Sequence, residues 1–217
     1  MSAEMRISEI FFSLQGEGKE IGLPTVFVRL YGCDLRCRWC DTMYAVEGGR
    51  FEVLGVDEVY GRVVSYGCAR VCITGGEPLL QAAEVEALTQ RLLDSGMRVV
   101  LETSGHRRPP AVFGDERCVI SMDCKCPSSG MEGRMDPSMP GSLGEKDQLK
   151  FVLADRRDYD YALYVLEERP TRAQVVFQPV GGRDARWIAE AVLRDGLHRV
   201  RVLPQLHKLL WGERKGV

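Results

Sequence analysis

Short apolar runs rich in β-branched residues alternate along this chain with longer segments whose apolar residues recur every three or four positions. The runs are TVFVRL (25–30), RVCIT (70–74), RVVLET (98–103), CVISMD (118–123), QLKFVL (148–153), QVVFQPV (174–180) and RVRVLPQ (199–205), each with the length and composition of a strand. Between them VDEVYGRVVSYG (56–67), LLQAAEVEALTQRLLDSG (79–96), DRRDYDYALYVLEE (155–168) and DARWIAEAVLRDG (184–196) carry the spacing of amphipathic helices. Strand followed by helix, repeated, predicts parallel β/α units. A closed eightfold barrel takes about 250 residues. The 217 residues here therefore predict one α/β domain spanning 1–217, built as an abbreviated, open (β/α) partial barrel. Residues 126–147 are rich in Gly, Pro, Ser and Met and follow no pattern, and are expected to form a loop or lid.

In such folds chemistry gathers at the carboxyl ends of the parallel strands. The residues richest in chemistry fall there: three cysteines after TVFVRLYG, GGEP after RVCIT, Ser-Gly after VLET, and QPV within the sixth run. Period-two alternation in TVFVRL puts Val26, Val28 and Leu30 on one face and Thr25, Phe27 and Arg29 on the other. An arginine facing a barrel interior needs an anion, and its planar fork fits a carboxylate at two points. An ion pair with one of the chain's own acids would meet the same need.

Composition narrows the rest. A hydrophobic share of 45% supports a buried core without disulfides. The 29 basic and 31 acidic side chains are interspersed, with a net charge of −2, so no basic stripe points to nucleic acid. Glu4 and Glu9 stand where a signal peptide needs a basic then an apolar run, and the longest uncharged stretch, 173–182, is ten residues, too short to span a membrane. A cytoplasmic location is expected, where eight cysteines are poor disulfide candidates and metal binding or burial is the better use for them.

The stretch YGCDLRCRWCDT (31–42) places Cys33, Cys37 and Cys40 within eight positions. A structural zinc site asks for a fourth ligand at matching spacing, and neither CITGG nor CKC supplies a second C-x-x-C. An iron–sulfur cube also takes four thiolates as a rule, so three in one loop leave one iron open to a cofactor or substrate. Taken alone, a structural metal site or three buried cysteines would explain the triplet, and GGEP (75–78) would pass for an ordinary turn.

Together, the C-x-x-x-C-x-aromatic-C spacing with Trp39, and GGEP one β/α unit later, resemble the radical S-adenosylmethionine superfamily. EIFFSLQGEG (9–18), FVRLYGC (27–33), CDT (40–42), PSSGM (127–131) and LPQLHKLLWGERKGV (203–217) further resemble the 7-carboxy-7-deazaguanine synthase family, from residue 7 to the C-terminus. The resemblance implies a 4Fe-4S cluster on Cys33, Cys37 and Cys40, S-adenosyl-L-methionine on its open iron, and Mg2+ at Thr42. It assigns S-adenosylmethionine to Trp39, Cys40, Asp41, Gly75, Gly76, Glu77, Pro78, Ser104, Gly105, Asp123, Cys124, Lys125, Gln178, Pro179, Val180 and Gly181. It assigns the substrate, 6-carboxy-5,6,7,8-tetrahydropterin, to Leu14, Gln15, Gly16, Glu17, Arg29, Thr103, His207 and the terminal carboxylate of Val217. Asp123 and Lys125 occupy a slot where many relatives carry Ser-Pro-Lys, so Asp123 departs from the family pattern. Thr42 could equally cap a helix, QGEG could be a plain turn, and a lone histidine is more often structural.

The implied reaction begins with a 5′-deoxyadenosyl radical taking hydrogen from the carbon that bears the carboxylate. Ring contraction and loss of ammonia follow, giving the 7-deazapurine that feeds queuosine or archaeosine. A flavodoxin- or ferredoxin-type electron donor and a homodimer are expected with it. Cys68, Cys72, Cys118, Cys124 and Cys126 read as small core residues, with Cys124 and Cys126 too few for a second cluster. A glycyl-radical-activating enzyme shares the cysteine loop and GGEP, but has no use for QGEG, Arg29 or the PQLHK tail. A non-catalytic metal protein is the more distant alternative.

Overall fold

The computed structural model describes residues 4–182, 184–214 and 216–217; the rest of the expected 1–217 span, residues 1–3, 183 and 215, lies outside the described residues. The strands are β1 (Glu4–Leu14), β2 (Pro24–Leu30), β3 (Glu52–Gly55), β4 (Arg70–Gly75), β5 (Arg98–Thr103), β6 (Cys118–Cys124), β7 (Gln148–Leu153), β8 (Gln174–Pro179) and β9 (Val200–Val202). The helices are α1 (Met43–Val46), α2 (Val56–Val64), α3 (Ala82–Asp94), α4 (Met139–Ser142), α5 (Arg156–Glu168), α6 (Arg186–Arg194) and α7 (Leu206–Trp211). Among the described residues the strands form one open sheet in the order β3, β1, β2, β4, β5, β6, β7, β8, β9. Every neighbouring pair from β2 to β9 is parallel. This is the expected partial barrel.

Two strands escaped the sequence pattern. β1 pairs antiparallel with both β2 and β3, and its register with β2 slips between Ile7 and Glu9. That bulge breaks the alternation by which a half-buried strand is recognised, while β3 is only four residues long. The added antiparallel pair covers the β2 edge that the parallel sheet would leave open.

Period two sorts the strands onto two faces. Val26, Val28 and Leu30 of β2 join Val71 and Ile73 of β4 and Val99 and Leu101 of β5 beneath α2 and α3, whose Val59, Val63, Val85, Leu88 and Leu92 are all buried. A second core packs β7 and β8 against α5 and α6, with Phe177 meeting Phe151 and Tyr159 edge-on at 5.7 Å each. The inner face carries a small apolar floor of Phe27, Cys72, Val100 and Val119, capped by Phe11 stacked on Phe27 at 4.9 Å. Arg29 follows Phe27 on this face, as its position in TVFVRL predicts.

Residues 126–147 are not a free lid. Met139 and Leu143 are buried in the second core, and the Arg38 N–H in the cysteine loop donates to the Ser129 carbonyl at 3.2 Å. The start of the segment is pinned by Asp158 of α5, fully buried, whose carboxylate accepts the Ser128 and Ala154 N–H groups at 2.8 Å each. Asp155 accepts the Asp158 N–H at 3.1 Å and caps the same helix. The segment braces the cysteine loop from the side. Replacing Asp158 with Ala strands two backbone donors and should lower stability in a urea titration by about 3 kcal/mol. Asp158→Asn, which keeps one acceptor, should cost less than half of that.

Candidate functional site

The cysteine loop leaves the carboxyl end of β2 and returns through α1. Its position is fixed by a backbone contact with the turn after β4: the Glu77 N–H donates to the Gly32 carbonyl at 2.9 Å, and the Gly76 N–H to the Leu30 carbonyl at 3.1 Å. A Cβ at Gly75 would lie 2.3 Å from the Leu30 carbonyl oxygen, and one at Gly76 would lie 2.2 Å from that of Gly32. Gly75 also has φ of +147°, so both places admit glycine alone. The turn that GGEP encodes thus presses against the cysteine loop.

Glu77 lies behind this turn. Its carboxylate, 1% exposed, accepts from the Leu79 N–H (3.0 Å), the Thr103 hydroxyl (2.8 Å), the Ser104 N–H (2.9 Å) and the Ser104 hydroxyl (2.6 Å). Four donors fill its lone pairs. His106 extends the network, with Nδ1 2.7 Å from Ser104 Oγ and Nε2 2.9 Å from Asp34 Oδ1. Glu77 therefore ties the end of β4 to the end of β5.

In front of the turn opens a cavity of about 300 Å³. Cys33, Cys37, Trp39, Cys40, Asp41, Thr42, Gly75, Gly76, Thr103, Ser104, Asp123, Lys125, Pro179 and Gly181 line it, together with Leu14, Gln15, Gly16, Glu17, Arg29, His207 and Val217. Glu77, Pro78, Gly105, Cys124, Gln178 and Val180 are not among the residues that line it. Among the described residues, no cysteine other than Cys33, Cys37 and Cys40 lines the cavity. Cys72, Cys118, Cys124 and Cys126 are buried in the cores, and Cys68 is half-buried. Thr42 sits at the N-cap of α1 but makes no cap bond; its hydroxyl lies 3.7 Å from Cys40 Sγ.

Charge is arranged in pairs along the wall. Arg29 Nε donates to Glu9 at 2.7 Å, and the Tyr44 hydroxyl donates to the same oxygen at 2.7 Å. Burial, with the bond to Glu9, pushes the Tyr44 phenol up to about 12 despite the neighbouring Arg29. Lys150 is bonded to Glu17 and lies 3.6 Å from Asp123, which pairs with Lys125 at 3.0 Å. Burial opposes the charge on Glu17, but the Lys150 ammonium and the hydrogen bonds from Lys150 and Gln205 outweigh it and hold the carboxyl below its ordinary value. Burial likewise opposes the charge on Lys150, and Glu17 with Asp123 reverses the balance and raises it.

The C-terminal segment roofs the cavity. The Leu206 N–H donates to the Gly16 carbonyl at 2.9 Å and Gln205 Nε2 to Glu17 at 2.5 Å. A Cβ on Gly16 would fall 2.1 Å from His207 Nδ1, so the bare backbone of QGEG seats the histidine. Lys208 Nζ reaches Asp41 at 3.6 Å, joining the tail to the cysteine loop. The loop after β1 and the C-terminal segment thus meet over one cavity.

A model of the radical SAM superfamily matches residues 27–116. The 7-carboxy-7-deazaguanine synthase of Thermoplasma acidophilum is 38% identical over 98% of this chain and all of its own length. That of Methanospirillum hungatei is 41% identical over 96% of this chain and 86% of its own length. The chain belongs to the 7-carboxy-7-deazaguanine synthase family. The crystal structure of QueE from Escherichia coli, at 23% identity, matches the fold with a TM-score of 0.75 over 93% of this chain and 94% of that one.

Enzymes of this family work with a 4Fe-4S cluster and S-adenosylmethionine, and the residues present fit both. Among the described residues no three His, Cys, Asp or Glu side chains are gathered closely enough for a single metal ion. A tetrahedral zinc would need sulfurs about 3.8 Å apart, whereas a cube takes each thiolate on a different iron. A buried polar atom on the cavity wall awaits a partner: Asp123 Oδ1 makes no hydrogen bond among the described residues. A bound cofactor rich in donors and acceptors would satisfy it.

Glu9, Tyr44, Thr74, Glu102, Lys150, Gln205 and Lys208 belong to the site and were not singled out from the sequence. Period two in QLKFVL already places Lys150 on one face with Gln148 and Val152, the same logic that located Arg29.

Glu17→Gln should cost about 3 kcal/mol at neutral pH, because it leaves the buried Lys150 ammonium without its main partner. The folded carboxyl sits below the ordinary value of 4.5, so its contribution is present above that value and is lost as pH falls through the folded one. The gap in melting temperature between parent and variant should close on acidification below pH 4.5 and stay constant between pH 6 and 9.

Proposed function

We propose that this protein converts 6-carboxy-5,6,7,8-tetrahydropterin to 7-carboxy-7-deazaguanine with loss of ammonia, in 7-deazapurine biosynthesis. The observation that carries this reading is the meeting of the cysteine loop, the Gly75–Gly76 turn, the Leu14 to Glu17 loop, Arg29 and His207 in one cavity, roofed by the C-terminal segment. A roofed cavity of about 300 Å³ suits a small heterocycle. An activator of a protein radical would need that roof open.

Cys33, Cys37 and Cys40 would hold the cluster, on the cavity they share with the Gly75–Gly76 turn. When bound, cluster and S-adenosylmethionine supply the hydrogen-abstracting radical chemistry. The chain's own residues do the positioning. Backbone groups of Gly75 and Gly76 receive the methionyl end, with Glu77 fixing Thr103 and Ser104 from behind. Asp123 and Trp39, both on the cavity wall, would face the rest of the cofactor. Arg29, steadied through Nε by Glu9, presents its guanidinium to the pterin carboxylate. Gln15, Glu17 and His207 flank the ring, and the tail excludes water from the reacting carbon. Thr42, whose hydroxyl makes no cap bond, would offer it to Mg2+, a cation that suits sparse protein ligation. The electron comes from a flavodoxin- or ferredoxin-type donor, and the enzyme works as a cytoplasmic homodimer.

The test is conversion of 6-carboxy-tetrahydropterin by anaerobically reconstituted protein, followed by mass spectrometry of the product. Cys37→Ala should abolish both the brown cluster absorbance and turnover; an intact four-iron cluster in that variant would move the ligands elsewhere. Arg29→Lys keeps the charge but loses the fork, so KM for the pterin should rise about tenfold or more while S-adenosylmethionine affinity is unchanged. An unaltered KM would assign Arg29 to its ion pair with Glu9 alone.

A further inference from the structure

The inner wall of the cavity carries three carboxylates, Glu17, Glu102 and Asp123. Lysines pair with Glu17 and Asp123. Glu102, among the described residues, has no cation within 4.0 Å. It is instead aimed by two uncharged donors, Thr74 Oγ1 to Oε2 at 2.8 Å and Gln15 Nε2 to Oε1 at 3.3 Å. The nearest cations of the wall are already engaged, Arg29 by Glu9 and Lys150 by Glu17. Thr74 and Gln15 thus each take one side of Glu102, and a carboxylate with about four lone-pair sites keeps acceptor capacity. Below it lies the floor of Phe27, Cys72, Val100 and Val119, from which the buried Cys72 thiol approaches Glu102.

An oriented carboxylate at this depth, near Arg29 and Lys150 but in direct contact with neither, is suited to a ligand edge bearing two parallel N–H donors. Resting on the function proposed above, we infer that Glu102 reads the 2-amino-pyrimidinone edge of the substrate, accepting from its exocyclic amine and adjacent ring N–H in two-point fashion, and so determines specificity for a 2-amino over a 2-oxo ring. Thr74 and Gln15 act as positioning residues, holding the two oxygens in the plane of the ring. Two parallel bonds from one carboxylate give both strength and geometric selection. A ring with oxygen at that carbon would set acceptor against acceptor.

The experiment compares binding of 6-carboxypterin and its 2-oxo counterpart, 6-carboxylumazine, to cluster-loaded protein with S-adenosylmethionine, by fluorescence titration under anaerobic conditions. The parent protein should prefer the 2-amino ring by at least on the order of 100-fold, since a site built on hydrogen bonds rejects a ligand that leaves them unmade. Glu102→Gln presents one acceptor and one donor, which match the 2-oxo edge. That variant should lose affinity for the pterin and gain affinity for the lumazine, and a gain cannot arise from misfolding. Thr74→Val, which frees one carboxylate oxygen, should narrow the preference without reversing it. Equal preference in the parent and in Glu102→Gln overturns the inference. Turnover of the tetrahydropterin by the parent keeps the proposed function standing in that case, whereas a parent that neither binds nor converts the pterin overturns both.

Discussion

Gly75 and Gly76 let the end of β4 lie backbone against backbone on the end of β2, and the rest of the cavity is arranged around that contact. Any side chain there would meet a carbonyl oxygen at little more than 2 Å, so the cysteine loop would be pushed off the sheet. With the contact made, Gly32 accepts from Glu77, and the carboxylate of Glu77 in turn fixes Thr103 and Ser104. A hydrogen-bonded line thus runs from the thiolate loop through β4 to β5. Rigid supports of this kind hold reacting groups in register more closely than loops alone can.

The cavity wall is layered by polarity. An apolar floor formed by Phe27, Cys72, Val100 and Val119 closes the barrel below. Above it stand Arg29, Thr74 and Glu102 on adjacent strands, with Arg29 paired to Thr74 in the β2–β4 register. Nearer the rim come Asp123, Lys125, Lys150 and Glu17, joined by ion pairs. Burying so many charges is costly unless each is matched, and the strand alternation supplies the matches by delivering opposite charges from neighbouring strands to one face. The tail completes the scheme by bringing Gln205 to Glu17 and Lys208 to Asp41.

Much of this was legible in the sequence, because parallel strands buried on both faces read as apolar runs and because the cysteine spacing and GGEP carry their chemistry locally. The interior direction of Arg29 followed from counting by two. β1 was not legible, since its bulge at Ile7 to Glu9 breaks the count and its charged residues masked a strand. Glu9 went unnoticed with it, although it holds Arg29. Lys150 and Glu102 were obscured for another reason: each is one charged residue at a strand position, and its meaning lies in partners more than 25 residues away. The segment at 126–147 looked like a lid because its composition is that of a loop, yet Met139 and Leu143 bind it into the core.

The roof of the cavity is also the last part of it to be made. Gln205 follows Cys40 by 165 positions, so at ribosomal rates of about 5–20 residues per second the three thiols leave the ribosome roughly ten to thirty seconds ahead of the tail that will cover them. During that interval the tail cannot cover them. The order of synthesis gives cluster assembly an open approach, and it gives oxygen the same one.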